Sequence, residues 1–212
     1  MAPCTSRMAV VVLAFVIATA GTPVAPPERA PAGRSQLDEE GDWKIPVLHA
    51  AGMLGAMRVS ASIIWPQAYD PTRLRDQLRG FGRAWSAMPE FRRDRPLFGS
   101  DGDPWTINVF GHGLFGSEIY ARTRQCGHGA AASVAAAATT TFIWEYVVEA
   151  PYKRPSAVDL VWTPLGGAVF GELRFQLGRW LRGDPGNPVK NVLLIATDPF
   201  GELERRLFGT RC

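Results

Sequence analysis

The chain has little net charge, a formal +3 across 212 residues, and that scarcity argues against a nucleic-acid partner, which would require a concentrated basic face. No stretch alternates apolar and polar residues for long enough to build a sheet, and no fixed-period repeat or heptad run occurs, which removes strand-based, solenoid and coiled-coil architectures. Only three histidines and three cysteines are present. The histidines form no His-Glu-x-x-His helix and no Glu-x-x-His pair, so the metalloprotease and di-iron bundle readings fall away. A Gly-x-Ser-x-Gly elbow is also missing: Ser117 sits in a helical pattern, not a strained turn. No cysteine follows the small residues at Ala18-Thr-Ala20, so lipid attachment there is unsupported.

The rest of the composition is ordinary for a globular protein, with 46% hydrophobic and 20% charged residues. Arg7 followed by the apolar run Met8 to Ala18 and a small-residue cleavage pattern reads as a secretory signal over 1–20, with an uncleaved membrane anchor as the alternative. Residues 21–42 are rich in Pro, Ala, Gly and acidic residues and read as a flexible linker. Residues 43–212 then form one helical domain. Export would leave Cys126 and Cys212 in a compartment where they can pair or stay free.

The expected fold class is all-α, a compact bundle of about five helices with one kinked Pro/Gly-rich helix. Ile45 to Trp65 is an apolar run ending at Pro66, a first core helix in which His49 is a satisfied helix residue. In 71–85, Leu74, Leu78, Phe81 and Trp85 fall at helical spacing beside Arg75, Arg79 and Arg83. Such a helix can lie on an anionic membrane surface or pack its apolar side onto the core. A helix from Pro104, capped by Asp103, runs to Cys126 and stops at Gly127. An Ala-rich helix follows over 130–150. Ser156 caps the next helix, with Asp159 at the capping-box position. Pro164 is expected to break or kink that helix, and Gly167 and Gly171 permit close contact. Val192 to Ala196 is too short to assign, and Asp198-Pro199 opens a last helix.

Asn108, His112 and Gly116 recur every fourth residue and form a polar seam on one face. Glu145 and Glu149 lie one turn apart at a helix C-terminal end, where negative charge is disfavoured. Their compensation can come from Lys153, Arg154 or Arg122, from a bound cation, or from a retained proton. His112, Glu145 and Asp159 are the candidate catalytic set, since a histidine with a carboxylate can activate water. His112, Glu145 and Glu149 are the candidate ligands of a divalent metal. Asn108, Ser117, Tyr120, Glu149 and the three arginines Arg75, Arg79 and Arg83 are candidate binding residues. The alternative is a structural network, with His112 hydrogen-bonded to Glu145 or Asn108 and fixing helix register.

The order Trp105-x-x-Asn108-x-x-x-His112-x-x-x-Gly116-Ser117-x-x-Tyr120, Trp144-Glu145-Tyr146-x-x-Glu149, Pro155-Ser156-x-x-Asp159-Leu160-x-x-Thr163-Pro164-x-Gly166-Gly167 and Gly171-Glu172 resembles the bacterial domain-of-unknown-function family 3943, over most of 43–209. Gly113 and Ile119 depart from the Pro and Tyr common at those places in the family. The resemblance implies an exported, mainly helical domain of the bacterial envelope, in the periplasm or associated with the outer membrane, and carries no activity. Two functions remain open: a non-catalytic helical module that docks at a membrane or envelope partner, and a small hydrolase using His112 with Glu145, with or without metal, on a lipid or glycan.

Overall fold

The computed structural model describes residues 42–66, 70 and 72–209. The expected signal at 1–20, most of the 21–42 linker, and Cys4 and Cys212 lie outside the described residues. Among the described residues the chain is all-α, with seven α-helices rather than five: α1 Lys44–Ile64, α2 Leu74–Ser86, α3 His112–Gln125, α4 Ala130–Ile143, α5 Ala157–Arg182, α6 Pro188–Thr197 and α7 Pro199–Phe208. Extended backbone pairs only at the parallel bridge Glu90–Ser156 among these residues, where the Glu90 amide donates to the Pro155 carbonyl at 2.7 Å. That bridge ties the loop after α2 to the start of α5.

Two departures from plain α-helix matter. Ile107–Gly111 leads into α3 as a π turn, and Trp144–Val148 extends α4 as a second one. A π turn holds one more residue than an α turn and is frequently found beside functional residues. Here Asn108 and Glu145 sit inside the two turns, and His112 follows the first directly. Asp103 does not cap this helix as its position suggests, because its carboxylate is drawn 2.6 Å from the Lys153 ammonium instead. At the other end of α3 the expected stop holds. Gly127 adopts φ 91°, its amide donates to the Arg124 carbonyl, and the His128 amide reaches back to the Thr123 carbonyl, which is a Schellman end.

The chain divides into two compact units at 177/178, with α5 running from one into the other. In the first unit α3 is central and buried from Phe115 through Thr123, packed on α4 and α1. Its apolar core is small: Phe115, Ile119 and Ala137, with Ala50, Met53, Leu54, Met57 and Ala136 against them. Contact between α3 and α5 is backbone to backbone. A Cβ built on Gly116 would stand 2.0 Å from the Thr163 carbonyl oxygen, and one on Gly167 would stand 2.5 Å from the carbonyl carbon of Gly116. Pro164 does not end α5, which continues for eighteen residues beyond it, to Arg182.

In the second unit, α6 begins at Asn187, whose side chain accepts from the Val189 and Lys190 amides, with Pro188 in the first turn. The segment left unassigned from sequence is therefore helical. Asp198 caps α7 through the Gly201 amide and also holds Arg182 at 2.9 Å and Arg205 at 2.8 Å.

The α3–α5 contact makes a direct prediction. Gly116→Ala should lower unfolding stability by ~3 kcal/mol or more, because backbone cannot yield as a side chain can. Gly55→Ala on α1, with nothing within 4 Å of the added carbon, should be neutral or stabilising by up to ~1 kcal/mol. Chemical denaturation of the two variants and the parent checks both outcomes.

Candidate functional site

Three elements deliver the site. The end of the first π turn brings His112, the second π turn brings Glu145, and the first turn of α5 brings Asp159. One nitrogen of His112 and one oxygen each of Glu145 and Asp159 lie within 4.8 Å of one another. All three side chains are interior, at 8%, 0% and 1% exposure. His112 Nε2 faces Asp159 Oδ2 at 3.6 Å, while Nδ1 stands 3.1 Å from the Thr163 hydroxyl. A proton on Nδ1 donated to Thr163 leaves the Nε2 lone pair toward the carboxylates, the arrangement in which an outer partner orients a ligating histidine.

Glu145 uses one oxygen to accept the Ser156 amide at 2.7 Å. Its other oxygen, Oε1, is buried without a hydrogen-bond partner, and neither oxygen of Asp159 accepts a hydrogen bond. Ser156 caps α5 as expected, its hydroxyl accepting the Asp159 amide at 3.2 Å. The capping box is nonetheless half made, since the Asp159 carboxyl does not return to the Ser156 amide, which Glu145 occupies. Burying an unmatched carboxylate oxygen is costly, so acceptors gathered around one imidazole nitrogen create a local demand for positive charge.

The surrounding charges are uneven. Lys153 binds Asp101 at 2.7 Å and Asp103 at 2.6 Å, and Asn108 donates to Asp101 at 2.8 Å and to the Phe98 carbonyl at 3.1 Å. The Asn108 carbonyl oxygen is left buried without a partner. Burial works against the Asp101 charge, but Lys153 and Asn108 outweigh it and hold this carboxyl well below the usual range. Asp159 has weaker support, since Ser156 and the more distant Lys153 charge favour its ionised form only in part. Burial, joined by the negative charge of Asp101, pushes it up to about 8. Burial likewise raises Glu149 to about 7, with Lys153 opposing and Asp103 and Asp101 adding to the rise. His112 is lowered to about 4, first by burial and then by the nearby Lys153 charge, and is therefore neutral at physiological pH.

The other candidates fall elsewhere. Ser117 donates to the Leu114 carbonyl and accepts Arg174 at 2.8 Å, in a separate network where Arg174 and His49 meet Glu118. Tyr120 donates to Glu172 at 2.8 Å, and Glu172 also pairs with Arg124. Glu149 lies outside the group formed by His112, Glu145 and Asp159, although its charge acts on Glu145. Arg75, Arg79 and Arg83 are exposed on α2, with Arg79 3.8 Å from Asp76. The structure thus brings His112, Glu145 and Asp159 together and leaves Ser117, Tyr120 and the arginines outside. His112 meets Asp159 and Thr163 where a Glu145 or Asn108 hydrogen bond was anticipated. Sequence reasoning missed Asp101, Thr163 and Glu118 as interior partners. The Asp101-Gly-Asp103 pair before the helix was the available signal for the first; Glu118 lies off the seam's four-residue spacing and gave none.

A pH dependence follows for the metal-free chain. The raised Asp159 and Glu149 values mean that stability present at low pH is lost as the pH climbs toward about 8. The lowered His112 works the other way, adding stability between about 4 and its ordinary 6.5 and nothing above. In excess chelator, unfolding stability should therefore fall between pH 6.5 and 8, and Asp159→Asn should flatten that fall. Urea titrations across this window measure it; a stability rising through the same range would contradict the assignment.

Residues 97–200 match the model of a family described as Domain of unknown function (DUF3943). No curated protein and no solved structure matches the chain. The matched stretch contains the whole cluster, from Asp101 through Asn108, His112 and Glu145 to Asp159 and Thr163, and begins after α2 and its arginines. Residues 97–200, just under half of the chain, are thus similar to the same family that the order of motifs resembles, DUF3943.

Proposed function

We propose that the first unit is a non-catalytic, cation-dependent helical module, in which His112, Glu145 and Asp159 hold a divalent metal that locks α3, α4 and α5 in register. The observation that carries this reading is the set of buried, unpartnered carboxylate oxygens, Glu145 Oε1 and both of Asp159, beside a neutral imidazole. Ligand atoms on a tetrahedral ion with ~2.0–2.2 Å bonds stand ~3.4 Å apart. The 3.6 Å between His112 Nε2 and Asp159 Oδ2 matches that spacing, and a slight closure of the 4.8 Å cluster completes it. A single nitrogen with carboxylate oxygens suits zinc, manganese or iron better than soft, thiolate-seeking ions. The ion would supply the charge that Lys153, engaged by Asp101 and Asp103, does not.

Closure of the site favours a structural over a hydrolytic role. Three ligands leave one position of a tetrahedral ion unfilled, but all three side chains are buried, so that position has no path to an external substrate. Cys126 is disulfide-bonded, which supports a location in the oxidising cell envelope.

Elemental analysis of the full chain, purified without chelator, should find about one divalent ion per chain, and thermal unfolding should rise when zinc or manganese is restored after stripping. Metal at about 100 times its dissociation constant would add ~2.7 kcal/mol. The amide pair Glu145→Gln and Asp159→Asn should stay folded yet lose both the ion and the metal-induced rise. A parent that binds no metal, and whose melting temperature ignores added metal, refutes the proposal.

A further inference from the structure

Beside its small apolar core, the first unit keeps many polar side chains inside and presents rows of apolar ones outside. Along α5, Val161, Leu165, Val169, Leu173 and Leu177 recur every fourth residue and all point outward, with Val169 61% and Leu173 65% exposed. On α1, Val47, Leu48, Val59 and Ile63 are exposed, the last at 75%. The interior opposite them holds Ser117, Thr123, Ser133, Thr141 and Thr163, each at 0% exposure. Water-soluble folds invert this distribution, and apolar patches extending over several helices mark a contact surface.

Charged groups on these helices obey the same rule. His49 on α1 turns inward to Glu118 at 3.4 Å, and Arg58 reaches the Tyr152 hydroxyl at 2.8 Å. On α5, Glu172 and Arg174 are both taken up by α3, through Arg124 with Tyr120 and through Glu118 with Ser117. Thr123, Ser133 and Thr141 close their hydroxyls on the carbonyl four residues back in their own chain, which satisfies these three groups without solvent. Helix contact through Gly116, Gly167 and Gly171 is the small-residue packing used where apolar burial gives no drive to associate.

Length and ends agree. Lys44–Ile64 and Ala130–Val148 are long and apolar enough to cross a membrane, and 21 residues of α1 rise about 31 Å, close to the hydrocarbon thickness. Trp43 and Trp65 flank α1 at its two ends, 45% and 50% exposed, where interfacial tryptophans stand. The apolar side of α2 is only partly covered: Trp85 packs on Phe142 and Tyr146 and donates its indole N–H to the Tyr146 carbonyl, yet Leu74, Leu78 and Trp85 stay more than half exposed beside Arg75, Arg79 and Arg83. Only Gly80 and Ala84 of that helix are buried. A basic helix with an open apolar side fits the headgroup layer of an anionic bilayer.

From these observations we infer that the first unit is embedded in a lipid bilayer, with α1 and Ala130–Val148 crossing the hydrocarbon, the outward row of α5 facing acyl chains, and α2 lying in the headgroup region. The metal cluster, at the start of α3, the end of α4 and the start of α5, then sits at one edge of the hydrocarbon. This inference does not depend on the ion, and its test does not involve it.

The full chain is reconstituted into vesicles of phosphatidylethanolamine and phosphatidylglycerol, with an environment-sensitive fluorophore on Leu48→Cys, Leu165→Cys or Leu173→Cys, and on Arg93→Cys as the aqueous reference. The unsubstituted chain is labelled in parallel for subtraction. These positions are exposed, so the interior is left intact. Nitroxides on the acyl chains should remove most of the emission at 48, 165 and 173, and aqueous iodide should remove little; Arg93→Cys should show the reverse. Because each probe reports its own position, an anchored N-terminus alone cannot reproduce the pattern. Iodide quenching at 165 and 173 overturns the inference, and so does protection from both quenchers, which would mean that another copy or a protein partner covers these faces.

Discussion

Everything in the first unit depends on the distance at which α3 meets α5. Two glycines remove the side chains that would hold the helix axes apart, and the carbonyl of Thr163 comes to rest where a Cβ of Gly116 would be. That approach is what places the Thr163 hydroxyl on His112 and Asp159 opposite its ring. Trp162 reinforces the pairing by donating its indole N–H to the Val109 carbonyl at 3.1 Å, within the first π turn. The site's geometry is therefore a property of backbone contact, fixed before any ligand side chain is considered.

Set against that rigidity is an electrostatic imbalance. Lys153 forms its ion pairs with Asp101 and Asp103 and reaches Glu145 and Asp159 only through its more distant charge, and the helix end that carries Glu145 already concentrates negative partial charge. A folded chain resolves such a surplus by holding protons or by taking up a cation. Neutral His112 offers a lone pair and no charge, so it assists the second solution without providing the first.

Much of the fold is legible in the sequence because its punctuation is local. Gly127, Ser156, Asn187 with Pro188, and Asp198 with Pro199 each mark a boundary through a hydrogen bond or a dihedral angle that needs no tertiary partner. The apolar run after Asn187 is too brief to announce the helix by periodicity, so the cap alone marks it. The site is legible in residue type and less so in pairing. Asn108, His112, Glu145 and Asp159 stand out as polar residues in apolar surroundings, yet which of them meet depends on π turns that a period of 3.6 does not anticipate. Asp103 shows the same limit, since a distant lysine overrides its capping position. Burial was the least legible property: helical periodicity separates two faces and does not say that the polar one is inside.

The π turns also have a genetic consequence. Each is a helix carrying one surplus residue, and an α-helix advances about 100° per residue. Loss of a single codon within Ile107–Gly111 would leave the helix continuous and the flanking turns close to in phase, because the wide turn already absorbs the extra residue, while re-aiming the side chains inside the turn. Asn108, or whatever residue took its place, would then leave the Asp101 carboxylate it now holds. A reading-frame-preserving deletion at either of these two points would therefore spare the helix and change which side chains face the site.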